Sequence, residues 1–339
     1  MGLCMRVDAN VSIYVKVTER CNTRCLHCYN AYGQEIVDLD VATYQGLMDR
    51  IGAYFAKANW SGRVEVIITG GEPLLVPVER LVKIVSISRG ALSAIDSLGI
   101  GLQSNCLIYN DEIRGFIKRY VSDVGTSFAP GVRFLDGNYP LWESNVVRMV
   151  KDGARLHLIV VLSKYCVENV FPSEVLKLIL DVGFCSFSVE EISRRGRAKQ
   201  NWDRIVPDRD LVDEWVARLI DEFIGSKAYH LVDFKEVSSF GLIADDADRI
   251  EKVRLYMMEN CNDGKKVISI NADGSVVTPD NNFTRMASDC NGVEELLDFA
   301  LNDENQLPGV HGGFVGKRFC ESLLRACKDD EFVLSVSNR

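Results

Sequence analysis

Val11-Ser12-Ile13-Tyr14-Val15-Lys16-Val17 leads, across Thr18-Glu19-Arg20, into Cys21-Asn22-Thr23-Arg24-Cys25-Leu26-His27-Cys28, joining a strand pattern to a metal-ligand pattern. The first run alternates apolar and other residues and is rich in β-branched types, which predicts a strand. The second packs three cysteines into eight residues directly behind it. In parallel α/β folds the carboxyl ends of strands are where loops assemble a site, so the cysteines stand where chemistry is expected. Three thiolates on one loop can hold three irons of a cubane cluster and leave the fourth iron open. A zinc site remains the alternative on spacing alone, although structural zinc usually takes four protein ligands from paired motifs.

Working outward, the runs Val64 to Thr69, Ile100 to Ser104, Leu156 to Leu162 and Phe184 to Val189 read as further buried strands. A weaker one lies between Val124 and Leu135. Stretches of helical period fall between them: Asp40 to Lys57, Val78 to Leu98, Asn110 to Val121, Leu141 to Val150 and Phe171 to Val182. Another follows them, with Leu211, Val212, Trp215, Val216, Leu219, Ile220 and Phe223 on one face. Gly99, Gly153 and Gly183 are read as helix stops. Strand and helix alternate about six times, the pattern of a parallel sheet flanked by helices. After about Ile224 the rhythm changes. Lys266 to Asn271 and Ser275 to Thr278, separated by Ala272-Asp273-Gly274, predict a hairpin. The expected boundary lies at Gly225, giving a core domain over 1–225 and a smaller cysteine-bearing α+β domain over 226–339.

Composition narrows the function classes. The chain has 339 residues, 47% of them hydrophobic, and a net charge of −9. That acidity, with no basic stripe or polybasic run, argues against nucleic-acid and membrane-surface binding. Met1 to Asn10 lacks a signal pattern and no uncharged run approaches a membrane span, so the expected location is the cytoplasm. Cytosolic thiols are kept reduced, so eleven cysteines point to metal binding or catalysis rather than disulfides. Cys106, Cys166 and Cys185 stand alone and read as small core residues. His157 and His230, beside apolar strands, read as structural.

The C-x3-C-x2-C spacing of Cys21, Cys25 and Cys28, followed by Gly70-Gly71-Glu72-Pro73 at the end of the second strand, resembles the radical S-adenosylmethionine (SAM) superfamily. Thr18-Glu19-Arg20 before the first cysteine and Tyr29-Asn30 after the third add to the likeness. The resemblance covers about residues 10 to 225 and implies a partial (β/α)6 barrel. It also implies a [4Fe–4S] cluster on Cys21, Cys25 and Cys28, with SAM on the open iron and Gly70, Gly71, Glu72 and Pro73 near its methionine moiety. Ser104 and Asn105 resemble the family's Thr-Asn-Gly segment, although Cys106 replaces the usual glycine. Ser127 corresponds to the next strand-end serine. Arg195-Gly196-Arg197-Ala198 resembles the family's Gly-Arg-Ala segment and places Arg197 near SAM.

Cys261 and the hairpin after it resemble a reduced SPASM or twitch extension, which in that family carries auxiliary clusters. Asp280 follows Pro279 where the family has cysteine, and the late cysteines allow at most one cluster. Its expected ligands are Cys261, Cys320 and Cys327, with Cys290, Asp280 or His311 as a fourth. Relatives with such an extension most often modify peptides or proteins, by cross-linking, epimerisation or oxidation. A peptide or protein substrate and a low-potential donor such as flavodoxin or ferredoxin are therefore expected. Dehydrogenation or rearrangement of a small molecule is the alternative, and a non-catalytic iron–sulfur or zinc regulatory protein is the reading from another class. About 20 residues precede the triplet. A peptide is thus expected to dock on the barrel itself or to arrive with a partner protein.

Overall fold

The computed structural model describes residues 10–29, 36–235, 237, 266–280, 283–286, 292–295, 297, 318 and 322. Cys261, Cys290, Cys320, Cys327 and His311 lie outside these residues, and Asp280 is described only as strand backbone. The described residues fall into two compact units. Asn22/Thr23 and Val124/Gly125 are two points at which the chain leaves the first unit for the second, and residues 36–124 belong to the first.

In the first unit, β1 (Val11–Lys16) lies between two parallel neighbours, β2 (Val64–Thr69) and β8 (Lys266–Ile270). β2 pairs in parallel with β3 (Leu98–Gln103). β8 turns back into β9 (Val276–Asp280), and β10 (Phe283–Met286) pairs antiparallel with β9. The order is therefore β10-β9-β8-β1-β2-β3. Val11, Ser12, Ile13 and Val15 are all buried, so β1 is covered on both faces and its β-branched run is satisfied there. The expected hairpin is present, and it extends the sheet on which the cysteine segment begins.

The helices of this unit form where the periodicity places them. In α1 (Val41–Lys57), Tyr44, Met48, Ile51 and Phe55 share the buried stripe, and the Asp40 side chain caps the start through the Thr43 amide. α2 (Val78–Ala91) stops well short of the expected Leu98. Leu92 and Ile95 stay buried in a turn that delivers the chain to β3, so apolar spacing continued where the helix did not. Gly99 lies inside β3 and stops no helix. α3 (Asp111–Tyr120) starts on the Asn110 side chain, which accepts from the Ile113 amide.

The second unit contains β4 (Asp123–Phe128), at whose start the division falls, then β5 (Leu156–Val161), β6 (Ser186–Glu190) and β7 (Asp233–Phe234). β5, β6 and β7 pair in parallel. α4 (Tyr139–Lys151), α6 (Pro172–Val182) and α8 (Arg209–Gly225) match expected helices, and Gly183 ends α6 at φ +86°. Two helices went unpredicted: α5 (Lys164–Asn169) and α7 (Gly196–Ile205). α5 is too short to show a period, and α7 buries only Ala198 and Ile205, too few to mark a face.

The register gives β5 and β6 two distinct faces. Phe187 stacks on Phe234 of β7 at 4.2 Å and meets Phe223 of α8 edge-on at 5.8 Å, so its side is the helix-covered one. Leu158 pairs with Phe187 and shares that face. His157, Ile159, Val161, Ser186, Ser188 and Glu190 alternate with them and occupy the opposite, inner face. The architecture is mixed α/β with a mostly parallel, open sheet, as expected for a partial barrel. No helix of the described residues is long and apolar enough to cross a membrane.

Candidate functional site

At the carboxyl end of β1 the chain does not fray into a loop. Val17 donates its amide to the Thr69 carbonyl at 2.9 Å, and Thr18 bridges antiparallel to Asp38. The Asp38 carboxylate accepts from the Thr18 hydroxyl and from Arg20 Nη2 at 2.8 Å. Desolvation pushes Asp38 upward, but these hydrogen bonds and the charges of Arg20 and Arg80 outweigh it and hold its carboxyl below the usual range. Thr18 to Arg20, the approach to Cys21, is thereby made rigid.

The glycines after β2 serve that segment directly. The Gly71 amide donates to the Thr18 carbonyl and the Glu72 amide to the Arg20 carbonyl, both at 2.8 Å. A Cβ on Gly71 would lie 2.2 Å from the Arg20 oxygen, and one on Gly70 2.3 Å from the Thr18 oxygen. Gly70 also holds φ at +142°, a conformation side chains rarely adopt. The close approach these glycines permit is thus to the backbone leading into Cys21.

Glu72 is fully buried and ties strand ends together. Its carboxylate accepts from Ser104 Oγ at 2.8 Å, the Asn105 amide at 2.7 Å and the Leu74 amide at 3.0 Å. Pro73 then opens a short 3-10 turn to Leu75. Asn105 Nδ2 donates to Asn22 Oδ1 at 2.6 Å, linking the end of β3 to the residue after Cys21. Cys106 is fully buried with φ +56°, so it adopts the left-handed conformation a glycine would take most easily. Ser104 and Asn105 are therefore committed, at least in part, to organising Glu72 and Asn22.

In the second unit the segment Thr23 to Tyr29 is held mainly through its backbone. The Leu26 amide donates to the Val132 carbonyl at 2.8 Å, and the Cys28 amide closes a turn on the Cys25 carbonyl at 3.3 Å. Arg197 grips the same turn twice, its amide on the Cys28 carbonyl at 2.9 Å and Nη1 on the Cys25 carbonyl at 3.0 Å. Gly196 is required here, because a Cβ would fall 2.5 Å from the Tyr29 carbonyl. The Gly-Arg-Ala likeness thus corresponds to a clamp on the cysteine turn at the start of α7.

Arg133, which sequence reasoning missed, joins this cluster. Its Nη1 donates to the Ser127 carbonyl at 2.8 Å, while Nε is buried without a hydrogen-bond partner among the described residues. His27 is driven down to about 3, first by burial and then by the positive charge of Arg133, with a smaller contribution from Arg197. Its imidazole is neutral at physiological pH, and the fixed positive charge around Cys25 to Cys28 comes from guanidiniums.

Cys21, Cys25 and Cys28 form no disulfide; Cys25 is buried and the other two are half-buried. Among the described residues no group of three His, Cys, Asp or Glu side chains converges as a metal site. The donor chemistry nevertheless fits an iron–sulfur cluster. The three thiols lie on a segment pinned by its main chain, with cationic side chains against the part that carries Cys25 and Cys28. Cys106 and Cys166 are buried core residues as expected, and burial pushes the Cys166 thiol up to about 12. Cys185 is half-buried, its Sγ 3.1 Å from the Leu156 carbonyl. His157 bonds Ser186 and Ser188, consistent with a structural role.

No family model matches the chain. An uncharacterised protein of Methanocaldococcus jannaschii is 31% identical over 121 residues, which is 36% of this chain and 39% of that protein. The alignment thus spans well under half of that relative. Among solved structures, native anSMEcpe with bound AdoMet (that is, SAM) and Kp18Cys peptide superposes with a TM-score of 0.68 at 14% identity, over 97% of this chain and all of that one. Streptococcus suis SuiB bound to its precursor peptide SuiA gives 0.53 at 14% identity, over 92% of this chain and 69% of that one. Both are radical SAM enzymes, and the likeness establishes their fold in this chain.

Proposed function

We propose that a chain with the radical SAM fold and a pinned cysteine segment at the end of β1 is itself a radical SAM enzyme, acting on a peptide or protein. The observation that carries this reading is the pairing of Gly71 and Glu72 with the carbonyls of Thr18 and Arg20, which builds the end of β2 onto the approach to Cys21. A turn placed by chance behind a strand needs no such registry with a cysteine loop encoded some 50 residues earlier in the chain. The peptide substrate is supported by the two structural neighbours, each captured with a peptide.

Cys21, Cys25 and Cys28 would hold the [4Fe–4S] cluster. When bound, it supplies the electron that splits SAM into methionine and a 5′-deoxyadenosyl radical able to take hydrogen from a substrate. The chain's own residues supply position and charge. Gly70 to Pro73 and Ser104-Asn105 set the backbone beside Cys21, with Glu72 as the knot between them. Arg197 fixes the turn between Cys25 and Cys28, and with Arg133 offsets the negative charge of thiolate ligands. Residues 226–339 would form the SPASM- or twitch-like extension, with Cys261, Cys320 and Cys327 holding an auxiliary cluster and Cys290 or Asp280 available as the fourth ligand.

Anaerobically reconstituted, chemically reduced protein is expected to convert SAM to 5′-deoxyadenosine and methionine, read by mass spectrometry. No 5′-deoxyadenosine from cluster-loaded protein would overturn the assignment, and is the result a non-catalytic regulatory protein would give. Arg133→Gln removes a fixed positive charge while retaining hydrogen-bonding capacity. It is expected to lower the cluster's midpoint potential by on the order of tens of millivolts, since a full charge acts through partly buried protein. An EPR-monitored redox titration gives the value; an unchanged potential would remove Arg133 from this role.

A further inference from the structure

We propose that the basic run at the start of α7, Arg194, Arg195 and Lys199 with Arg24 in the adjoining cysteine segment, is the docking surface of the electron donor, a one-electron carrier protein with an acidic face. This deepens the radical SAM reading and rests on it for the cluster that receives the electron.

From Ser193 to Gln200 the chain carries four cations and no anion, although the whole protein has a net charge of −9. The nearest acids in sequence, Glu190, Glu191 and Asp203, flank this run and do not interrupt it. Arg194, Arg195 and Lys199 are exposed, as is Arg24. Among the described residues none of these four forms an ion pair, and Arg194 lies over the Trp202 ring, its Cζ 5.4 Å from the centroid. Exposed cations without internal counter-ions project their field into solvent, where it draws in an oppositely charged partner and turns like-charged ones away.

The backbone of this run touches a proposed cluster ligand. The Arg197 amide donates to the Cys28 carbonyl at 2.9 Å, and a Cβ on Gly196 would fall 2.7 Å from that same oxygen. The Arg197 guanidinium is committed to the Cys25 carbonyl at 3.0 Å, immediately after Arg24, which leaves its basic neighbours for a partner. A protein seated on the run is therefore one hydrogen bond away from the main chain of Cys28. α7 holds this placement firmly. Ala198 and Ile205 seat it in an apolar cluster with Val132 and Val161, and Leu26 of the cysteine segment packs against the same cluster. The cations and the cysteine turn thus belong to one packed unit, so a partner finds the face already formed.

An electron carrier is the occupant that such a face suits. The carrier gives up one electron and the cluster accepts it, with no bond made or broken between the two proteins. All the surface must supply is closeness to a cluster ligand and an attraction weak enough to release the spent carrier. Redox encounters of this kind use small interfaces and rely on charge for their rate of association. The acidity of the chain as a whole argues against a nucleic acid on the same face.

The test uses a flavodoxin and a ferredoxin, each of net negative charge, with the reconstituted full chain under anaerobic conditions. Binding is measured by biolayer interferometry, and reduction of the cluster by the prereduced carrier by stopped-flow absorbance. At least one carrier is expected to bind, and to bind less tightly as salt is added. The triple variant Arg194→Glu, Arg195→Glu, Lys199→Glu should weaken that binding roughly tenfold or more and slow reduction by the carrier to match. Its reduction by dithionite, which needs no docking, should be unchanged. Lys57→Glu, Lys83→Glu and Lys118→Glu together alter net charge equally at exposed positions of α1, α2 and α3, and should leave binding near the wild-type value. Replacing the three patch residues with glutamine should give a smaller loss of the same sign, with thermal melting confirming that each variant folds. Failure of both carriers to bind overturns the proposal, as does an equal loss in the patch and control variants. A patch variant reduced by the carrier at the wild-type rate overturns it too. So does a glutamate-rich peptide that binds as tightly as the carriers, since the face would then recruit acidic chains in general. Dithionite-driven 5′-deoxyadenosine formation, read in the same samples, keeps the two readings apart: patch-dependent carrier binding by a protein that never cleaves SAM would sink the enzymatic assignment and leave the docking face standing.

Discussion

Replacing Cys21, Cys25 and Cys28 together with alanine is expected to abolish 5′-deoxyadenosine formation completely. The three thiols lie in no disulfide, and the segment that carries them is fixed by main-chain bonds to Val132, Arg197 and, through Thr18 and Arg20, to Gly71 and Glu72. Removing the side chains should therefore leave that scaffold intact and delete the ligands alone, so loss of turnover would report on ligation rather than on misfolding. The same variant exposes the tail. Any iron it keeps after reconstitution must be bound elsewhere, and about one cubane per chain is expected, lost on further removal of Cys261 or Cys327. Undiminished SAM cleavage would refute the cluster assignment. Absence of residual iron, read by Mössbauer spectroscopy and iron analysis, would leave the tail without a cluster and favour a redox-neutral reaction.

Gly71→Val is expected to cost most of the cluster loading, roughly tenfold or more, and SAM cleavage with it. The new Cβ would fall 2.2 Å from the Arg20 carbonyl and 2.6 Å from that of Glu19, both backbone atoms that cannot swing aside. Either strand end must move, breaking the hydrogen bonds from Gly71 to Thr18 and from Glu72 to Arg20. Displacing Glu72 would also strip its buried carboxylate of the Ser104, Asn105 and Leu74 donors, at about 1–3 kcal/mol for each polar group left unsatisfied. If the glycine served SAM alone, the variant would bind a full cluster and lose SAM affinity only. Iron and sulfide content measured beside SAM affinity separates these outcomes; normal iron with weak SAM binding would refute the scaffold role.

Much of the fold was legible because buried parallel strands advertise themselves. β1, β2 and β5 are continuous apolar or β-branched runs, and the structure places each within a residue or so of its expected limits. α1, α6 and α8 were readable for the same local reason, a stripe of apolar residues at helical spacing. α5 and α7 were not, since one is a turn and a half and the other is polar nearly throughout. The end of α2 was misjudged because burial of Leu92 and Ile95 preserves the spacing after the hydrogen-bond ladder has stopped.

By itself the amino-acid order determined the alternation of elements, the cysteine spacing and the position of the Gly70-Gly71 motif at a strand end. Those are short-range properties, written in the period of burial and in the chemistry of neighbouring residues. Tertiary structure decided what the motifs touch. Gly71 meets Arg20 and Gly196 meets Tyr29 across long stretches of chain, and no local pattern encodes which carbonyl a glycine must admit. Glu72 became a knot between strand ends, and Arg133 entered the cysteine cluster from the segment after β4. Glu190 reads in sequence as one acid among many, and the register with β5 puts it on the inner face. Partners and faces of this kind are fixed when sheet register and helix packing are complete, because only then is each polar group's surrounding charge and access to water defined.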